Sequence, residues 1–125
     1  MTSSLIATSA QPISIDPVTA IATAHRDQFP NLRASGILPR SQTGLPINPA
    51  DVAVALSFLS RCRRTKVPSF HTHDLQRHVG VGIGAIIAAG VGLGFTVRGW
   101  YGNRAFYPHA VMGVNRFDVL KAVRS

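Results

Sequence analysis

Apolar positions return at helical spacing in one long segment of this chain. In PADVAVALSFLSRCRR, residues Val52, Ala55, Leu56, Leu59 and Cys62 recur every three or four positions, the period of one helix face. Asn48-Pro49 opens that segment, and Asp16-Pro17 earlier in the chain repeats the signal: an N-cap residue followed by proline at the first helical position. The earlier signal predicts a short helix from Pro17 to Gln28, with Val18, Ile21 and Ala22 on one side and Pro30 beyond its end. Between the two helices, Pro30, Gly36, Pro39, Gly44 and Pro46 mark residues 30–47 as a long loop. Further on, Thr72 is placed to cap a short helix, His73 to Val79, with Asp74 in its first turn.

The pattern then changes. Residues 79–97 read VGVGIGAIIAAGVGLGFTV, nineteen positions without a charge, six of them glycine. At 1.5 Å per residue such a run reaches about 28 Å, close to the hydrocarbon thickness of a bilayer. Gly80/Gly84 and Gly90/Gly94 have the spacing that lets membrane helices approach closely, and Trp100 and Tyr101 follow at one end. Three observations weigh the other way. Only nine of the nineteen are bulky and apolar, and each interior glycine costs a helix about 1 kcal/mol relative to alanine. Basic residues flank both ends without a sided excess. Gly94-Phe95 reads as a helix stop, a left-handed closing residue with an apolar contact behind it. The prediction is a buried helix from about Ile83 to Leu93, with a single membrane pass over 79–97 as the alternative. A strand from Phe95 to Tyr101, a turn at Gly102-Asn103 and a strand from Arg104 to Tyr107 then form a hairpin, and residues 116–124 form a last short helix.

The expected fold is α+β: a small helical domain with a C-terminal β-hairpin in winged-helix-like order. Residues 1–15 are expected to be a flexible, disordered arm, 16–47 a short helix and long loop, and 48–125 a compact α+β domain.

Charge narrows the choice of partner. Thirteen Lys and Arg, eleven of them Arg, stand against five Asp and no Glu, for a net charge of +8. That balance suits polyanions: nucleic acid, an acidic protein or an anionic membrane face. Arg61, Arg63, Arg64 and Lys66 crowd the end of the second long helix, where cations complement its dipole, and Arg98 and Arg104 lie on the hairpin. These six are the candidate nucleic-acid-binding residues. The apolar helix carries no Arg, Lys, Asn or Gln with which to reach a base edge, so binding is expected through phosphates, weakly and with strong salt dependence.

Little else carries chemistry. His71, His73 and His78 with Asp74 have zinc-ligand residue types, but no second cluster accompanies them, and they read as surface histidines near a helix start. Gly80-Val81-Gly82-Ile83-Gly84-Ala85 lacks the preceding strand and the later carboxylate of a dinucleotide site. The five Asp are scattered, and no spacing pairs two of them on one face. No enzyme activity, metal or cofactor is therefore expected. Cys62 is the one cysteine and cannot form an intrachain disulfide; it reads as a small packed hydrophobe, although the flanking Arg would lower a thiol pKa. MTSSLIATSAQPISID has neither the basic start nor the apolar run of a secretory signal, so a cytoplasmic location is expected, with a membrane location under the alternative.

FLSRCRRTKVP, DLQRHVG, GAIIAAGVGLGF and GNRAFY together resemble a group of uncharacterised small basic alphaproteobacterial proteins associated with plasmids and other mobile elements. The resemblance covers roughly residues 56–107. It departs at Gly82-Ile83-Gly84, where that group carries a polar Ser-Asn-Gly lead-in to the helix. It implies a soluble protein whose AIIAAGVGLGF helix is packed, and it implies no activity. The expected role is a non-enzymatic binding protein, nucleic-acid-associated or a regulatory accessory. The alternatives are the single-pass membrane protein and a protein–protein adaptor.

Overall fold

Three pieces, not one, make up the glycine-rich stretch in the structure, a computed structural model that describes residues 15–24, 28–38, 44–101 and 106–124. Val79 ends one helix, Ile83–Gly92 form a second, and Val97 begins a strand. The two helices meet at 101°, and among the described residues no single helix is long and apolar enough to cross a membrane. Ile86 and Ile87 are completely buried. Full burial of each such side chain stabilises by about 1.5–3 kcal/mol.

The described elements run α1 (Pro17–Thr23), β1 (Leu32–Arg33), β2 (Gly36–Ile37), α2 (Pro49–Leu59), β3 (Phe70–His71), α3 (Thr72–Val79), α4 (Ile83–Gly92), β4 (Val97–Tyr101), β5 (Phe106–Met112) and α5 (Arg116–Arg124). The fold is α+β, with two small antiparallel sheets. β1 pairs with β2, and the other three strands lie in the order β3-β5-β4. Phe70, Met112 and Val97 are in register across the larger sheet, as are His71, Val111 and Arg98. Met112 and Val97 belong to the core, so their row faces the helices.

α4 is the centre of that core. Every residue from Ile83 to Gly90 is buried, enclosed by α1, α2, α3 and strands of both sheets. Glycine makes one of these approaches possible. A Cβ on Gly84 would lie 1.8 Å from the carbonyl oxygen of Arg33. Through the space so left, Gly84 N–H donates to the carbonyl of Ala34 at 3.1 Å, so the β1–β2 turn satisfies a donor at the start of α4. At the other end Gly94 takes φ +87°. Phe95 N–H reaches the carbonyl of Gly90 at 2.9 Å, and Gly94 N–H that of Val91 at 3.1 Å, the paired bonds of a Schellman closure.

Several elements differ from expectation. Residues 30–47 are not all loop: Leu32, Ile37 and Ile47 are buried, and a two-residue hairpin forms where too few residues pair to leave an alternating pattern. α1 keeps α-helical geometry to Thr23, Ala24 and Gln28 are wound as π-helix with residues 25–27 outside the described residues, and α2 stops at Leu59, before the basic run. Thr72 does not cap its own helix. Its buried hydroxyl donates to the carbonyl of Ala110 at 3.1 Å and accepts from Ala110 N–H at 2.8 Å, extending the β3–β5 pairing by one side chain. The strand expected at 104–107 runs on to Met112, and β3 pairs beside it; β3 is too short to announce itself. Residues 1–14, the Gly102-Asn103 turn and Arg104 lie outside the described residues.

Candidate nucleic-acid interface

Beyond Leu59 the basic run leaves the helix and joins the sheet. Asn115 N–H donates to the carbonyl of Arg63, Thr65 N–H donates to that of Gly113, and Arg64 bridges Val114. Residues 63–65 therefore flank the C-terminal extension of β5 on the side that β3 occupies further along. Between them, residues 66–69 loop outward, steadied by the Thr65 hydroxyl donating to the Val67 carbonyl at 3.2 Å. Lys66 stands exposed at the start of this excursion, and Arg98 is exposed on β4 across β5.

Three of the other candidate cations, Arg61, Arg63 and Arg64, make internal contacts. Arg61 Nε donates to the Ser57 carbonyl at 3.3 Å, and its guanidinium stacks 5.7 Å from the Phe58 ring centre. Arg64 Nη1 donates to the carbonyl of Leu93 at 3.3 Å, placing a positive charge at the C-terminal end of α4, where the helix dipole favours it. Arg63 grips Asp118 with Nε at 2.9 Å and Nη2 at 3.2 Å, while its backbone N–H donates to the same carboxylate at 2.8 Å. That contact holds the Asp118 carboxyl below its ordinary range; burial opposes the shift, and the Arg63 amide and the charges of Arg63 and Lys121 assist it. Arg63 itself is pushed upward by the same partner and keeps its charge. The pair ties α5 to the chain beyond α2. Arg61, Arg63, Lys121 and Asp118 together line one depression.

Sequence reasoning missed Lys121 and Asp118 here. One signal was available: Asp118 is the only acid after Asp74, and a lone acid among cations reads as an internal counter-ion.

Cys62 resolves a contest the sequence left standing. Arg61 does lower its thiol pKa, but burial and the Asp118 charge raise it more, to about 11. At neutral pH the group is a thiol packed in the core, not a thiolate. Among the described residues no group of three or more His, Cys, Asp or Glu is gathered as a metal site would need. His71 starts α3 at its N-cap position and His78 lies in its last turn.

No protein-family model matches the chain, no curated protein is significantly similar to it, and no solved structure matches its fold at a significant level.

Proposed function

We propose that this chain is a basic, non-enzymatic accessory protein that binds nucleic acid through its phosphates. The order helix, short strand, helix pair, hairpin, with the short strand and the hairpin joined as β3-β5-β4, is read here as winged-helix-like, and that supports the proposal. The observation that carries it is the placing of Lys66 and Arg98, exposed on either side of β5 in a chain of net charge +8. Arg104, the sixth candidate, adds its charge to the proposal by sequence alone. Arg61, Arg63 and Arg64 add field rather than first contacts, because each also serves the fold.

Base reading has no carrier. α4, which would be the recognition helix in this reading, is buried from Ile83 to Gly90 and offers no polar side chain. Binding would then be indifferent to sequence and governed by counterion release.

The test is a gel shift on duplex DNA at low salt with Lys66→Glu and Arg98→Glu combined. Roughly a tenfold or greater loss is expected, together with a shallower dependence on salt, about 0.9 in log–log slope for each phosphate contact removed. Both side chains are exposed, so the fold survives the change. Binding equal to that of the unaltered chain removes the proposal.

A further inference from the structure

Among the described side chains one aromatic ring is exposed. Phe117, near the start of α5, is 76% exposed, and Leu120, one turn further on, 44%. Three residues apart, the two are neighbours on the outer side of the helix, while Val119 and Ala122 are buried on its inner side. Arg116 is exposed beside them, four residues before Leu120. Its guanidinium lies 6.0 Å from the ring centre of Phe70, where the 66–69 excursion rejoins the sheet, so the start of α5 adjoins that loop. On the loop Val67 is 70% exposed, and Lys66 next to it is exposed as well. Among the described residues neither Lys66 nor Arg116 pairs with a carboxylate, and Asp118, the one acid of α5, is held by Arg63.

We infer that this face, Val67, Phe117 and Leu120 with Lys66 and Arg116, rests on the surface of an anionic lipid bilayer. An exposed ring and two exposed aliphatic side chains gain by leaving water for the boundary between headgroups and acyl chains. Cations beside them stay at headgroup level, where they meet the negative charge of the lipid. Other occupants use only part of what is exposed. The backbone of a duplex engages the cations but gains nothing from Val67 or Leu120. A stable protein interface enlists about 20–30 residues a side and a matching contour; a lipid surface demands neither. A second copy of the chain brings the same +8 charge.

The experiment is sedimentation of the full chain with vesicles of phosphatidylcholine, with and without phosphatidylserine. Binding is expected to the anionic vesicles and little to the neutral ones. Phe117→Ser with Leu120→Ser should weaken it roughly tenfold or more, and Arg116→Gln roughly fivefold. All three positions are exposed, and circular dichroism checks the fold. The apolar pair decides the matter, because a chain of charge +8 adsorbs to an anionic surface by charge alone. Vesicle binding that survives Phe117→Ser with Leu120→Ser undiminished would overturn the inference, as would no binding to anionic vesicles at all. So would dimers, formed without vesicles, that Phe117→Ser dissociates. The serine pair leaves Lys66 and Arg98 in place, so its duplex gel shift should be unchanged, and failure here is distinguishable from failure of the nucleic-acid reading. A weakened gel shift would instead assign the face to nucleic acid and overturn the lipid assignment.

Discussion

Two glycines of the same helix face opposite demands. At Gly84 an added methyl meets the backbone of Arg33, which is held by the β1–β2 pairing and cannot move alone. At Gly90 it meets Met112 Cε, the far end of a flexible side chain, with the first contact at 2.3 Å. Gly84→Ala is therefore expected to cost about 2–3 kcal/mol. Gly90→Ala should cost under about 1 kcal/mol, because methionine can turn aside and the helix gains about 1 kcal/mol of propensity. Urea unfolding of both variants measures the difference. Cys62 gives a second prediction at this scale. In the native protein at pH 8 its thiol should resist alkylation that proceeds readily once the chain is unfolded, and mass spectrometry reads the adduct. The linkage has a sign. The native thiol stays protonated up to about 11, whereas the unfolded one ionises from its ordinary 9.0. The folded state thus holds the extra proton in between, and its stability falls as pH rises through that window.

Elements are joined here by single side chains at their ends. Arg64 meets the last turn of α4, Thr72 joins the start of α3 to β5, and Arg63 fastens α5. The last of these can be titrated. Asp118 is only 15% exposed while Arg63 is 75% exposed, so the pair is half in water and screened accordingly. Because the folded carboxyl lies below its ordinary 3.8, its contribution is present above that value and lost as pH falls through the depressed native one. Asp118→Asn should remove that part of the acid dependence. Stability profiles of the two proteins are expected to differ above pH 4–5 and to converge in stronger acid, which thermal melts across pH can follow.

For the whole molecule the decisive fact is that α4 is buried from Ile83 to Gly90. α1 packs a small residue, Ala20, against Gly92, and the β1–β2 turn rests on Gly82 and Gly84. The described residues between 15 and 47 therefore complete the core instead of decorating it. A chain beginning at Asn48 should expose α4, bind a hydrophobic dye and lose a cooperative thermal transition. If it melts as sharply as the full chain, the N-terminal segment is dispensable to the core. The same enclosure shapes the functional proposal. A helix so covered cannot enter a groove of DNA, so the proposal assigns phosphate contact to the exposed Lys66 and Arg98.

The elements set by local chemistry could be read before any fold was known. Asn48-Pro49 started α2, and Gly94-Phe95 closed α4 almost where expected, since caps and left-handed turns depend on a few neighbouring residues. The hairpin and the last helix were equally visible. Only the fold could show that the third strand of the larger sheet is two residues long, that Thr72 serves Ala110 instead of its own helix, and that Asp118 meets Arg63 fifty-five residues away. The same holds for the choice between lipid and protein as the surroundings of Ile86 and Ile87. Their apolar character demanded burial, but what encloses their helix is α1, α2, α3 and the two sheets, with the β1–β2 turn approaching at two glycines that carry no side chain. Contacts between residues distant in sequence have no periodicity to announce them, so packing alone could decide.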